Sequence, residues 1–283
     1  MTVASIVVFF SIFANKKKKN MKTILLKNIA TTLSILLVFA FFASAQNDVF
    51  TAEKMWQLKR VGAPVVSNDG SKILFTVTEY DIEKNNSKTN IFISDINGKE
   101  MRQLTFGNKD GDPVWSPDDS KIAFVSRRDG SSAQIYVMDM RGGEGKKITS
   151  LPTSPFAIKW FPDGKTIAFA AMIHPDYNGD FTKLEDILKD KKESKVSAKV
   201  TENVMYRYWD RWLTDGMYPS LFSVETETEK VIDLMPGFNN FFNLMGGVSY
   251  DISPDGKEIA VSANTVPPPF ETTNSDILLI STD

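Results

Sequence analysis

Few residues in this chain are of a type and spacing that could do chemistry. A hydrolytic serine needs Gly-x-Ser-x-Gly, which sets the hydroxyl on a strained strand-to-helix elbow, together with an acid and a histidine. The nearest match, Gly247-Val248-Ser249-Tyr250-Asp251, lacks the last glycine and runs into a turn, so Ser249 reads as a strand residue. The single histidine, His174, opens the run HPDYNGD with no elbow serine to serve, and reads as a loop residue. The absence of cysteine excludes a thiol nucleophile and a disulfide framework, and one histidine is too few for a zinc site. Asp110-Gly111-Asp112 and Asp176-Tyr177-Asn178-Gly179-Asp180 offer oxygen donors but not the spacing of an EF-hand loop, and read as solvated turns. Gly142-Gly143-Glu144-Gly145 has no helix after it and reads as a hairpin. The sequence thus predicts no catalytic residue, no metal site and no cofactor. What remains is VMYRYWDRWLTDG (204–216), the densest aromatic stretch, with Tyr206, Tyr208, Trp209 and Trp212. A local packing core and a binding wall are both open readings of it.

The elements that must position these residues form a repeat. VVSNDGSKILFTVTE (65–79), VWSPDDSKIAFVSRR (114–128), IKWFPDGKTIAFAAM (158–172) and YDISPDGKEIAVSAN (250–264) align on Asp69, Asp118, Asp163 and Asp255, at separations of 49, 45 and 92 residues. Pro117, Pro162 and Pro254 preset φ at the second turn position, the aspartate caps its own backbone, and Gly70, Gly164 and Gly256 supply positive φ. After each turn comes a short apolar run such as Ile122-Ala123-Phe124, suited to a strand buried on both faces. NIFISDINGKEMRQLT (90–105), QIYVMDMRGGEGKKIT (134–149) and SLFSVETETEKVIDL (220–234) add a second hairpin to each unit. Two hairpins at a period of about 45 to 50 residues make a propeller blade. The predicted fold is therefore all-β, a partial β-propeller of about four four-stranded antiparallel blades. The double spacing before Asp255 marks an insertion in blade three, from Ile173 to Met217. Within it, Leu184, Ile187 and Leu188 predict an amphipathic helix over 181–196, ahead of the aromatic stretch. With the fourth blade lacking its closing strands, Ile73, Phe75, Ile259 and Val261 are expected to lie close to water, with self-association as the result.

Residues 1–45 read as an export segment. From Met21, Lys22 and Lys27 form a basic start, Ile35 to Phe42 an apolar stretch, and Ala43-Ser44-Ala45 a cleavage signal before Gln46. An uncleaved anchor is the alternative, although the run falls short of the roughly 20 apolar residues of a membrane span. Residues 1–20 read as a start-site extension or as part of an unusually long signal. Taking the segment's six lysines from the 33 basic residues leaves 27 against 35 acidic, a balance of −8, which disfavours nucleic acid as a partner. Residues 46–64 are a lead-in, and 65–283 the incomplete propeller.

The Ser-Pro-Asp-Gly blades, with IYVMD and a following LT or IT, resemble the propeller half of the prolyl oligopeptidase family of serine peptidases. The lead-in FTAEKMWQLKRVGAPVVSNDG (50–70) resembles its acylaminoacyl- and dipeptidyl-peptidase branch. YRYWDRWLTDG (206–216) resembles the segment that interrupts the propeller in secreted dipeptidyl peptidases. The resemblance implies a propeller that gates short peptide substrates for an α/β-hydrolase domain, which this sequence does not contain. It also implies substrate-facing roles in the insertion: Tyr208, Trp209 and Trp212 as aromatic wall, and Asp210, Asp215 and Glu202 as carboxylates for a substrate ammonium. Membrane contact is expected only through the export segment. The other expectation is a non-enzymatic, Tol-type periplasmic propeller that binds a protein partner.

Overall fold

The computed structural model describes residues 24, 25, 29, 31–34 and 50–282, except 131, 202–205, 214, 215, 244–246 and 267–272. The chain divides into two compact units, 1–55 and 56–283. In the first, residues 24, 25, 29 and 31–34 are helical. The cleavage signal at 43–45 and the apolar stretch 35–42 lie outside the described residues. No helix among the described residues is long and apolar enough to cross a membrane.

The described residues of the second unit form a row of four antiparallel blade sheets and a separate two-stranded hairpin. Blade one pairs Lys72–Asp81 with Asn86–Asp95 and Arg102–Gln103, while Arg60–Val61 and Val65–Val66 both pair with its first long strand. Blade two is Asp110–Trp115, Lys121–Ser126, Gln134–Asp139 and Lys146–Lys147. Blade three is Phe156–Trp160, Thr166–Ile173, Tyr218–Glu225 and Val231–Asp233. Blade four has three strands among the described residues, Ser249–Ile252, Glu258–Ala263 and Asp276–Ser281.

Strand alternation builds the core between blades. Ile122 and Phe124 face blade one, packing with Leu74, Ile91 and Ile93. Ala123 and Val125 face the other way, onto Ile167, Phe169 and Phe222 of blade three. In blade three, Ala168 and Ala170 turn to Ile259 and Val261 of blade four. This sandwiching accounts for one correction. Ile259 and Val261 are 0% and 1% exposed, because they point at blade three rather than outward. Phe75 is also buried, stacked on Phe92 at 5.9 Å, and Ile73 is partly buried. The apolar residues near water in the last blade are instead Ile277 and Leu279, 76% and 68% exposed.

The repeated turns share one geometry. Gly70, Asp119, Gly164 and Gly256 each donate a backbone bond to the residue three back, and all four have positive φ. The turn aspartates accept from the backbone two residues on, as expected. Adjacent turns touch. Asp119 accepts from Asn68 N and Nδ2 at 2.8 Å and from Asp69 N at 2.9 Å. A Cβ on Gly256 would meet Pro162 Cδ at 3.6 Å. Tryptophans add bonds between blades at this end: Trp115 Nε1 donates to Val65 O and Trp160 Nε1 to Val114 O.

Candidate functional site

Since the Ser-Pro-Asp-Gly turns meet one another, they define one face of the row. Antiparallel pairing then sends every connection between second and third strands to the opposite face. Those connections are 82–85, 127–133, 174–217 and 264–275. One face is thus uniform and tightly bonded, and the other carries the irregular segments where binding residues usually reside.

In blade two the connection 127–133 holds a charged cluster that sequence reasoning missed. The side chain of Asp110 is fully buried and accepts from Ser126 Oγ (2.6 Å), Arg128 Nε (3.2 Å) and Gly107 N (3.1 Å). Arg128 Nη2 lies 2.8 Å from Asp110 Oδ2 without hydrogen-bond alignment, so that contact is one of charge. The guanidinium also sits over the rings of Phe124 and Tyr136, at 5.4 and 4.8 Å. The reading of 110–112 as a solvated turn therefore fails at Asp110, where a cation 18 residues away makes burial tolerable. Tyr136 donates to Asp129 Oδ2 at 2.5 Å, and burial, helped by that carboxylate, pushes its hydroxyl up to about 12. A cavity of about 660 Å³ opens beside Asp129, Tyr136 and Lys147 and is bounded by Glu185, Lys189 and Lys192 of the inserted helix. The signal available in the sequence was the run Arg127-Arg128-Asp129 at a strand end.

The insertion begins at His174, whose Nδ1 accepts from Asp176 N and caps a short 3-10 turn, Pro175–Tyr177. Asp180 then caps a helix over Phe181–Glu193, three residues shorter than expected, with Leu184 buried and Leu188 packed against the core. The segment returns at Gly216, where φ is +78° and a Cβ would lie 2.7 Å from His174 Nε2.

Between them stands a small hairpin, Arg207–Tyr208 paired with Arg211–Trp212. Tyr208 is partly buried and packs on the buried pair Leu213 and Phe241. Trp209 and Asp210 form the turn. Trp209 is 77% exposed and has φ +54°, a conformation costing about 1 kcal/mol for a side chain of this size. Trp212 lies 5.4 Å from the Tyr206 ring, with Lys199 Nζ at 4.6 Å and Arg207 Cζ at 5.9 Å from its centroid. The structure thus brings Tyr208, Trp209, Asp210 and Trp212 onto one hairpin, while Glu202 and Asp215 lie outside the described residues. The described charges beside Trp212 are cations rather than carboxylates. Ser249 is a strand residue of blade four. Among the described residues no three His, Asp or Glu side chains gather as metal ligands.

Comparison with known proteins agrees with this architecture. The family described as TolB beta propeller domain matches residues 48–202. The uncharacterized peptidase YuxL of Bacillus subtilis is 29% identical over 217 residues, covering 76% of this chain and 31% of that protein. Dipeptidyl-peptidase 5 of Porphyromonas gingivalis is 27% identical over 239 residues, covering 81% and 33%. The structure of Pyrococcus horikoshii acylaminoacyl peptidase superposes with TM-score 0.59 at 19% identity, over 81% of this chain and 32% of that one. That last likeness is one of fold. The chain spans about a third of the length of the curated relatives it matches.

Proposed function

This chain belongs to the TolB beta propeller domain family, and from its likeness to peptidases over 76% and 81% of its length we propose that it is the substrate-gating propeller of an exported serine exopeptidase of dipeptidyl- or acylaminoacyl-peptidase type. The observation that carries the reading is the insertion. It interrupts blade three between Ile173 and Tyr218, yet those two residues remain paired. The sheet keeps its pairing across the insertion while one face carries an aromatic projection. On this reading Trp209 is the exposed contact, Trp212 and Tyr208 form the wall behind it, and Asp210 with Glu202 and Asp215 holds a substrate ammonium. Bond cleavage falls to a nucleophilic elbow, a motif this sequence lacks. Export rests on the basic, apolar and Ala-x-Ala parts of residues 21–45, with cleavage before Gln46.

The test is to give the 283-residue chain dipeptidyl and acyl-aminoacyl chromogenic substrates, and separately short peptides with free amino termini. No hydrolysis is expected, together with peptide-dependent quenching of tryptophan emission that Trp209→Ala abolishes. Inhibitor-sensitive hydrolysis by this chain would overturn the assignment of chemistry. The family description also favours a second reading, a propeller that binds a folded protein partner. Stable capture of a folded protein, without quenching by free peptides, would select it.

A further inference from the structure

We infer that residues 195–200, Lys-Val-Ser-Ala-Lys-Val, are an open docking strand for an extended, acidic peptide segment of a partner protein. The helix ends at Ser194, whose backbone N–H bonds Asp190 O and whose φ and ψ of −60° and 127° turn the chain into an extended path. From there to Val200 no residue has positive φ and none belongs to a helix, turn or strand. Val196 N donates to Ser194 Oγ at 3.2 Å, and residues 197–200 make no hydrogen bond among the described residues.

The sequence of this run is that of a strand with one apolar side. Val196, Ala198 and Val200 alternate with Lys195, Ser197 and Lys199, and a period of two sends the sets to opposite sides. In blade four the alternate residues Ile259, Val261 and Ala263 are buried against blade three. Here Val196 and Val200 are 73% and 86% exposed. An exposed run with unpaired backbone groups and high strand propensity is a template for strand addition, in which main-chain bonds give affinity and alternate side chains give specificity.

Charge selects the occupant. Residues 189–200 hold Lys189, Lys191, Lys192, Lys195 and Lys199 against Asp190 and Glu193, in a chain whose residues after 45 are acidic overall. Lys199 lies over Trp212, and Lys195 makes no ion pair among the described residues. A lone two-stranded ladder is marginal in water, so the lysine–carboxylate contacts at Lys195 and Lys199 are needed for affinity as well as for the choice of partner. The partner strand is therefore one that alternates carboxylates, facing Lys195 and Lys199, with small apolar side chains facing Val196 and Val200.

The probe is an octapeptide alternating Glu and Val, acetylated and amidated so that no terminal charge can engage an ammonium or carboxylate site. Binding to the 283-residue chain is followed by anisotropy of a labelled peptide. The Lys-Val counterpart is expected to bind at least about tenfold more weakly, and Lys195→Glu with Lys199→Glu to reverse that preference. Methylating alternate backbone nitrogens of the peptide should abolish binding. Trp209→Ala should leave it unchanged, which separates this surface from the exopeptidase reading. Equal binding of both peptides, indifference to charge reversal, loss with Trp209→Ala, or self-association of the chain with no peptide bound would each overturn the inference.

Discussion

Asp119 stands where the other three turns have glycine, and Asn68 stands where they have proline. The two replacements answer each other across the boundary between blades one and two. The Asp119 carboxylate takes three hydrogen bonds from Asn68 and Asp69, a set that a proline at 68 could not supply. With exposed partners each bond is worth about 0.5 kcal/mol, or about 1.5 kcal/mol together. Against this, a non-glycine residue at φ +56° costs about 1 kcal/mol. Asp119→Ala is expected to lose about 1.5 kcal/mol, because the bonds go and the strain stays, whereas Asp119→Gly loses only about 0.5 kcal/mol. Asn68→Pro should be harmful in the native background. Combined with Asp119→Gly it should be close to neutral, since the pair then matches Pro162 against Gly256. The coupling energy expected is about 1 kcal/mol, for the two bonds that both residues share. Urea unfolding followed by circular dichroism gives the cycle, and exchange of the Asn68 and Asp69 amides checks it locally. Effects that add within about 0.3 kcal/mol would refute the latch.

Removing the cation from Asp110 by Arg128→Met should cost about 3 to 5 kcal/mol in urea unfolding, and adding Asp110→Asn should recover much of it. Gly216→Ala should weaken closure of the insertion by about 1 to 2 kcal/mol, seen as faster proteolysis within 194–217 while the melting of the blades stays unchanged. Asp69 and Asp118 are held down to about 2, foremost by the hydroxyls of Ser67 and Ser116. Their folded values lie below the unfolded value of about 3.9, so their contribution is full well above pH 4, shrinks as pH falls through 4, and is gone below about 2. Acid titration of Asp69→Asn with Asp118→Asn should show a shallower loss of stability in that window.

Local chemistry was legible in the sequence and distant pairing was not. Pro162, Asp163 and Gly164 announce their turn because each acts on its own backbone, and the same holds for Asp180 at the helix start. The insertion was legible from spacing alone. Burial was misjudged at Ile259 and Val261, since an alternating strand does not say which of its faces meets a neighbour. Asp110 looked like a turn residue until Arg128, brought back by a hairpin, neutralised it. Trp209 stood out by composition, but its exposure at the tip of a left-handed turn is a matter of geometry. Asn68 and Asp119 looked like imperfect copies of a motif, and only the contact between blades makes them a matched pair.

The unbroken ladder on either side of the insertion has a consequence for how such chains acquire new parts. Thr166 through Ile173 pair in register with Tyr218 through Glu225, so the two ends of the inserted segment are held together whatever lies between them. Loop closure grows only with the logarithm of length, and a segment roughly six times as long as the corresponding 127–133 loop costs about 1.6 kcal/mol more to close. That is less than one buried aromatic residue returns. The site behaves as a socket, where sequence can be spliced or lengthened so long as it still covers Phe222 as Tyr177, Phe181 and Leu184 do. Foreign binding loops grafted between Ile173 and Tyr218 would inherit a rigid mount.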